Sequence, residues 1–414
     1  MLRERNTDFD PPDSHNSNRI TKLSITQTEE DDEKTFKPVI GTVNESYSLT
    51  ITAEGEASIT APSSSGILHA LETFAQLFFA HSSGEAWYTQ SAPVEIVDEP
   101  EYAYRGLLID TGRQFFPVSD IKRTIDGLSM SKMNVLHWHI TEMQSWPLEI
   151  PSLPKLTEKI AYSPNHIYST QDITDLYEYA IHRGVQIIME IDMPGHFGIE
   201  DAYPGLTVGW RVKEWDQYCP QPPCGALRLG NTEVEDFLTT LFDDLLPRIA
   251  PYTAYFNTGG DEYKPTLSLL DPDLETEDKE ILGPLLQRFV DHAHGKVLEN
   301  GLLPMVWEEM LEDWNATVHE NTIIQAWLGT GLKSLAEDGH KVIDSNSDFY
   351  VSLFPISPDT TRTIATRVSI NITAVPRLRP RRLVRLRRIH RLVKLLPLRR
   401  LVHALQSLAT NLQP

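Results

Sequence analysis

The chain has 414 residues, 40% of them apolar and 23% charged, enough to bury one large core and a smaller second one. No run of about 18 uninterrupted apolar residues occurs, which leaves no candidate for a membrane-spanning helix. The formal charge of −21 hides two unlike parts: from Phe354 onward there are thirteen Arg or Lys residues and one acid, Asp359, a net of +12, so the preceding body carries −33.

In chain order, residues 1–18 are polar, lack the apolar core of a secretory leader, and are expected to be disordered. Across 19–99 the alternating stretches "KLSITQT", "YSLTIT" and "ASITA" predict strands, followed by a helix from Ser65 to His81, a small α+β domain. From residue 100 the pattern changes to apolar strand followed by amphipathic helix. "RGLLIDTG", "MNVLHWHI", "VQIIMEID", "AYFNTGG", "LPMVWEE", "NTIIQAWLG" and "KVIDSNS" give seven strands. They are nearly continuous apolar runs, as in a parallel sheet covered on both faces.

Such repetition suits a (β/α)8 TIM-type barrel over 100–353, with a doubly wound open sheet as the alternative. Polar residues favour the barrel. Asp110 and the segments "HWHITE", "EIDMPGH", "GGDE", "WEE" and "QAW" all stand at C-terminal strand ends, which in a barrel converge on one mouth; no glycine-rich dinucleotide loop is present. Trp138, Trp307 and Trp327 lie at the same ends. Any one of them could be ordinary core, but three around one opening suit stacking on pyranose rings, so carbohydrate is the expected ligand class.

Cys219 and Cys224, in "YCPQPPC", read as a disulfide closing a tight loop, with free thiols as the alternative. Sequons at Asn44 and Asn315 are candidate glycosylation sites and agree with an oxidising compartment. No metal-ligand spacing is evident.

The segments "YRGLLIDTGRQFFPVSDIKRTIDGLSMSKMNVLHWHITEMQSWPLEI", "EIDMPGH", "TGGDE", "MVWEE" and "IIQAWLG" strongly resemble family 20 glycoside hydrolases, the β-N-acetylhexosaminidases, particularly the fungal type. The likeness runs from about Arg19 to Phe349. It implies hydrolysis of terminal N-acetyl-D-hexosamine residues, glucosamine or galactosamine, without cofactor or metal. It also implies a retaining mechanism in which the substrate's own acetamido oxygen is the nucleophile, giving an oxazolinium intermediate. Chitin fragments and glycoprotein glycans are the implied substrates, a homodimer the implied assembly, and a secreted or lysosomal/vacuolar location the implied address.

By the same resemblance Glu262 is the general acid and base, and Asp261 orients the acetamido group. Two acids that merely cap a helix or face solvent are the bland alternative. Arg105 matches an arginine that holds sugar hydroxyls, with a structural ion pair as its alternative. His196 and Glu142 form the relay behind Glu262, Trp307 and Trp327 wall the acetamido pocket, and His139 stands behind the catalytic residues or merely satisfies core hydrogen bonds.

The chain departs from the family pattern in four places. Asn257 replaces the histidine that begins "HxGGDE", and Glu142 stands where Asp is usual. Val351 and Leu353 occupy positions of a Tyr and an acid, and no eighth strand is recognisable, which would leave the first and seventh strands with unpaired edges. The basic low-complexity segment 354–414 reads as a shifted frame or an alternative end rather than a nucleic-acid or membrane-surface helix. A catalytically inactive, sugar-binding or interaction remnant is therefore the alternative function.

Overall fold

The computed structural model describes residues 19–32, 36–80, 87–328, 331–346 and 369–372. Residues 1–18, Val351, Leu353 and most of the basic segment lie outside them. Four strands, β1 (Leu23–Gln27), β2 (Tyr47–Ile51), β3 (Ala57–Ala61) and β4 (Val94–Asp98), form a sheet of order β1-β3-β2-β4. Period-two alternation buries Tyr47, Leu49, Ile59 and Ala61 against helix α1 (Ser64–Gln76), which contributes Ala70 and half-buried Ile67, Leu71 and Phe74. Ser63 caps that helix, its hydroxyl accepting from the Gly66 amide at 3.1 Å. The helix ends five residues before the expected His81, because Phe79–Ala80 is drawn into a short antiparallel ladder with Trp87–Tyr88.

The larger sheet contains β5 (Arg105–Asp110), β6 (Val135–His139), β7 (Gln186–Glu190), β8 (Tyr255–Asn257), β9 (Leu303–Trp307), β10 (Ile323–Ala326) and β11 (Lys341–Asp344). They pair in chain order and in parallel throughout. Between them run α2 (Val118–Met130), α3 (Thr170–Ile181), α4 (Thr232–Ile249), α5 (Lys279–Glu299) and α6 (Leu332–Glu337). Start signals are local: Ser169 and Asp172 form a capping box on α3, and the side chains of Asn231 and Asp278 cap α4 and α5.

Strand parity sorts the side chains. Leu136, Ile187, Phe256, Val306 and Ile324 point outward into the apolar faces of the helices. Tyr104, Val135, Ile188, Tyr255, Met305, Ile323 and Ile343 fill the lower interior. Above that plug the inward positions turn polar, and the buried residues there include Asp110, His139, Glu190, Asn257 and Gln325.

Two expectations need correction. Trp138 lies between inward-facing His137 and His139, so parity sends its indole outward; it is fully buried, donates to Thr111 Oγ1 at 2.9 Å and packs edge-on against Tyr168. It belongs to the core and not to the mouth. The edge of the first barrel strand is also not open: β12 (Ser369–Ile372) pairs antiparallel with β5 over Ser369↔Leu108 to Ile372↔Arg105. Among the described residues, the barrel wall is thus a curled sheet of seven parallel strands plus one antiparallel strand, and β11 is hydrogen-bonded only to β10.

Candidate active site

The segment that leaves β8 explains its two glycines. Asn257 O accepts from Ile191 N, Thr258 O accepts from Met193 N, and Gly259 O accepts from Trp307 N, so the chain is clasped between its neighbours on both sides. Gly259 has φ +69°, and a Cβ there would fall 1.9 Å from Asp192 Oδ1; Gly260 has φ +106°, and its Cβ would strike the Met310 side chain. Only glycine fits this passage. The Gly260 amide donates to Asp192 Oδ1 at 2.7 Å, and the chain then delivers Asp261 and Glu262 to the mouth. Glu262 (φ 57°) and His196 (φ 54°) both occupy the left-handed region, a strained backbone for residues with a Cβ that concentrates at functional sites.

Around them the strand ends bring together four acids and an imidazole. His196 Nδ1 pairs with Glu142 Oε1 at 2.8 Å, while its Nε2 lies 3.4 Å from Glu262 Oε2, 3.7 Å from Asp261 Oδ2 and 4.0 Å from Asp192 Oδ2. The Glu142 side chain is fully buried, whereas that of Glu262 is 24% exposed. Glutamate at position 142 therefore reaches the imidazole despite being one methylene longer than the usual aspartate.

Burial opposes charge on His196, but Glu142, Asp261 and Asp192 outweigh it and hold the imidazole well above its ordinary range. Burial likewise opposes ionisation of Glu142, and His196 and Arg113 overcome it, holding the carboxyl well below the usual range. Burial, and then the charge of Asp261, push Asp192 well above the carboxylate range.

The predicted arginine is not at the mouth. Arg105 opens β5 and so stands at the opposite end of the barrel, where its guanidinium binds Glu45 Oε1 at 2.6 Å and the carbonyls of Tyr102 and Lys132. It anchors the N-terminal domain, the ion-pair alternative. Arg113, just past the end of the same strand, occupies the mouth instead: it reaches Asp110 Oδ2 at 2.5 Å and Glu142 Oε1 at 2.6 Å. Both arginines lie in "RGLLIDTGR", and counting from the strand's C-terminal end would have selected the second.

Cys219 and Cys224 are disulfide-bonded. The loop they close carries Gln221, whose Oε1 accepts from Arg113 Nε at 3.3 Å and whose Nε2 lies 3.5 Å from Glu142 Oε1 and His196 Nδ1. A small cleft opens between this loop, His196, Glu262 and Tyr263. A second hollow, between the N-terminal domain and the barrel base, holds no comparable cluster of acids and imidazoles.

Trp307 lies at the inner end of β9, stacked on His137 and donating its indole N–H to Glu190 Oε1 at 2.9 Å. Trp327, just past β10, donates its indole N–H to Glu309 Oε1 at 2.8 Å and its amide to Glu308 Oε1 at 2.7 Å. Burial, and then the charge of Asp261, push Glu309 up to about 8. Asn257 is buried and points into the barrel, its Nδ2 3.3 Å from His137 Nε2 and its Oδ1 accepting from Gly259 N at 2.8 Å. It shapes the turn beneath the acids, and its side-chain hydrogen bonds among the described residues go to His137 and the Gly259 amide rather than to their carboxylates.

His139 bridges Glu190 and Glu142, at 3.2 and 3.3 Å, behind the residues that face the cleft. Glu190, Asp192, Glu308 and Glu309 were not singled out in the sequence, although all four sit in strand-end motifs. Among the described residues, three overlapping trios, Asp110–His139–Glu142, His139–Glu190–Asp192 and Asp192–His196–Asp261, bring acids and imidazoles close together. Arg113 gives two of these acids, Asp110 and Glu142, a positive partner.

Residues 102–367 match the family model described as glycosyl hydrolase family 20, catalytic domain, and residues 1–77 that described as beta-acetyl hexosaminidase like. A beta-hexosaminidase of Arthroderma benhamiae is 38% identical over 74% of this chain and 52% of its own length. Beta-hexosaminidase 1 of Coccidioides posadasii is 34% identical over 81% of this chain and 58% of its own. A chitooligosaccharidolytic beta-N-acetylglucosaminidase of Bombyx mori is 32% identical over 74% and 55%. Among solved structures, a chitobiase of Flavobacterium johnsoniae superposes with a TM-score of 0.68 at 28% identity, covering 81% of this chain and 57% of that one. The chain spans about half the length of the curated relatives it matches.

Proposed function

Because this chain belongs to glycosyl hydrolase family 20, we propose that it removes terminal N-acetyl-D-hexosamine residues from β-linked oligosaccharides, chitin fragments among them, by retaining hydrolysis assisted by the substrate's acetamido group. The observation that carries this reading is the line Glu142–His196–Glu262 with Asp261 beside it. Glu262 borders the cleft and protonates the glycosidic oxygen. As it gives up that proton, its new negative charge forms 3.4 Å from a charged imidazole, which stabilises the transition state more than the ground state. The same carboxylate then takes a proton from water.

A conventional retaining enzyme places a second carboxylate about 5 Å from the first, across the anomeric carbon. Asp261 precedes Glu262 in the chain and leans, as Glu262 does, on His196 Nε2, so both acids approach from one side. In this reading the nucleophile comes from the sugar. On the same reading Asp261, beside His196, accepts the acetamido N–H and offsets the positive charge of the oxazolinium. Likewise in this reading, Arg113 and Asp110 bind ring hydroxyls, and Trp307 and Trp327 wall the acetamido pocket.

The disulfide and the exposed asparagines of both sequons, Asn44 and Asn315, support a secretory route. The test is turnover of an aryl N-acetyl-β-glucosaminide and the corresponding galactosaminide. Activity that vanishes in Glu262→Gln, and that slows when the acetyl group is trifluorinated, supports the assignment; folded protein that binds N-acetylglucosamine without turnover refutes it in favour of a sugar-binding remnant.

A further inference from the structure

We infer that Glu190 is a positioning residue that couples the relay behind Glu262 to the indole of Trp307, holding His139 as the link between them. The inference deepens the reading of Glu262 as the acid and rests on it for its consequence in turnover. Glu190 ends β7, and parity turns it into the barrel with Gln186 and Ile188; it is fully buried. A carboxylate in such a place is retained only if its oxygens are satisfied, and both are. Oε1 accepts from Trp307 Nε1 at 2.9 Å and lies 3.2 Å from His139 Nδ1, while Oε2 pairs with His137 Nε2.

From His139 the line continues. Its Nε2 lies 3.3 Å from Glu142 Oε1, the same oxygen that pairs with His196 Nδ1, and His196 Nε2 faces Glu262. Acid and imidazole alternate along Glu190–His139–Glu142–His196–Glu262, so a change of charge at one end is felt at the other through short buried contacts. One residue thereby fixes two parts of the site that lie on different strands: the imidazole that braces Glu142, and the orientation of the Trp307 ring.

The charges around His139 are Asp110 from β5, Glu190 and Asp192 from β7 and its following loop, and Glu142 from the end of its own strand, with Arg113 beyond Asp110 and Glu142. Burial opposes its cation, and Glu190 foremost, then Asp110, outweigh burial. Glu190→Gln removes that charge while leaving a carbonyl oxygen for the Trp307 indole.

The test has two readouts, one of them independent of catalysis. Ring-nitrogen NMR of the full chain should find the His139 midpoint above that of an ordinary imidazole in the wild type, and lowered in Glu190→Gln. The accompanying kinetics should give kcat at least tenfold lower, an altered pH profile of kcat, and KM within about twofold, whereas Trp307→Phe should raise KM with little change in the pH profile. A neutral His139 at pH 7 in the wild type overturns the inference whether or not the variant folds, as does a folded Glu190→Gln with unchanged His139 titration. If the wild type turns nothing over while His139 behaves as described, the proposed hydrolysis fails and the role of Glu190 in the network stands.

Discussion

Glu309→Gln should make the fold less sensitive to rising pH. The wild-type carboxyl is buried behind Trp327, and burial followed by the charge of Asp261 raises it from an ordinary 4.5 to about 8. A carboxyl raised in the fold leaves stability intact below 4.5. Above that the unfolded chain ionises and the native one does not, and stability is lost steadily until the native group ionises near 8. At about 1.4 kcal/mol per pH unit the full loss approaches about 5 kcal/mol, of which about 3 kcal/mol falls between pH 5 and pH 7.5. Glutamine keeps an oxygen for the Trp327 indole and has no charge to acquire. Urea unfolding of both chains at pH 5 and 7.5 isolates this group, because other titrations cancel in the difference between the two proteins. The wild type should lose about 3 kcal/mol relative to the variant across that interval. Equal pH slopes would mean that Glu309 is ionised at neutral pH and that Asp261 and burial do not act on it as described.

The arginines should separate cleanly. Arg113→Ala is expected to raise KM at least tenfold in the aryl-glycoside assay, while Arg105→Ala leaves KM unchanged and lowers stability by about 3 kcal/mol through the stranded Glu45. Cys219→Ser opens the loop that carries Gln221; it should cost about 2 kcal/mol of stability and slow turnover several-fold, and an unchanged kcat would detach Gln221 from the Arg113–Glu142 contact. Asn257→His places a titratable ring beside His137 without touching Asp261, so kcat at the pH optimum should change less than threefold; a large gain would mark Asn257 as a catalytic lesion.

Much of the site was legible because strand periodicity and strand polarity are written locally. The seven barrel strands follow from apolar runs, and the mouth follows from the rule that polar residues at C-terminal strand ends converge. His196, Glu142, Asp261 and Glu262 assemble there as their motifs imply. Arg105 misled because it opens the recognisable segment, and only its place at the start of β5 assigns it to the opposite end. Trp138 misled because its neighbours in sequence are inward-facing imidazoles, and a shift of one residue reverses the face.

By itself, the sequence determined the element order and the family, since each depends on residue type over a few positions. Tertiary structure decided which charges meet. Glu190, His139, Glu142, His196 and Glu262 come from three separate stretches of the chain, 139–142, 190–196 and 262, and the distances between those stretches, which set the charge pattern of the network, exist only once the strands are side by side. It also decided that a short segment from the basic stretch pairs with β5, because an unpaired strand edge accepts backbone hydrogen bonds with little regard to side-chain pattern.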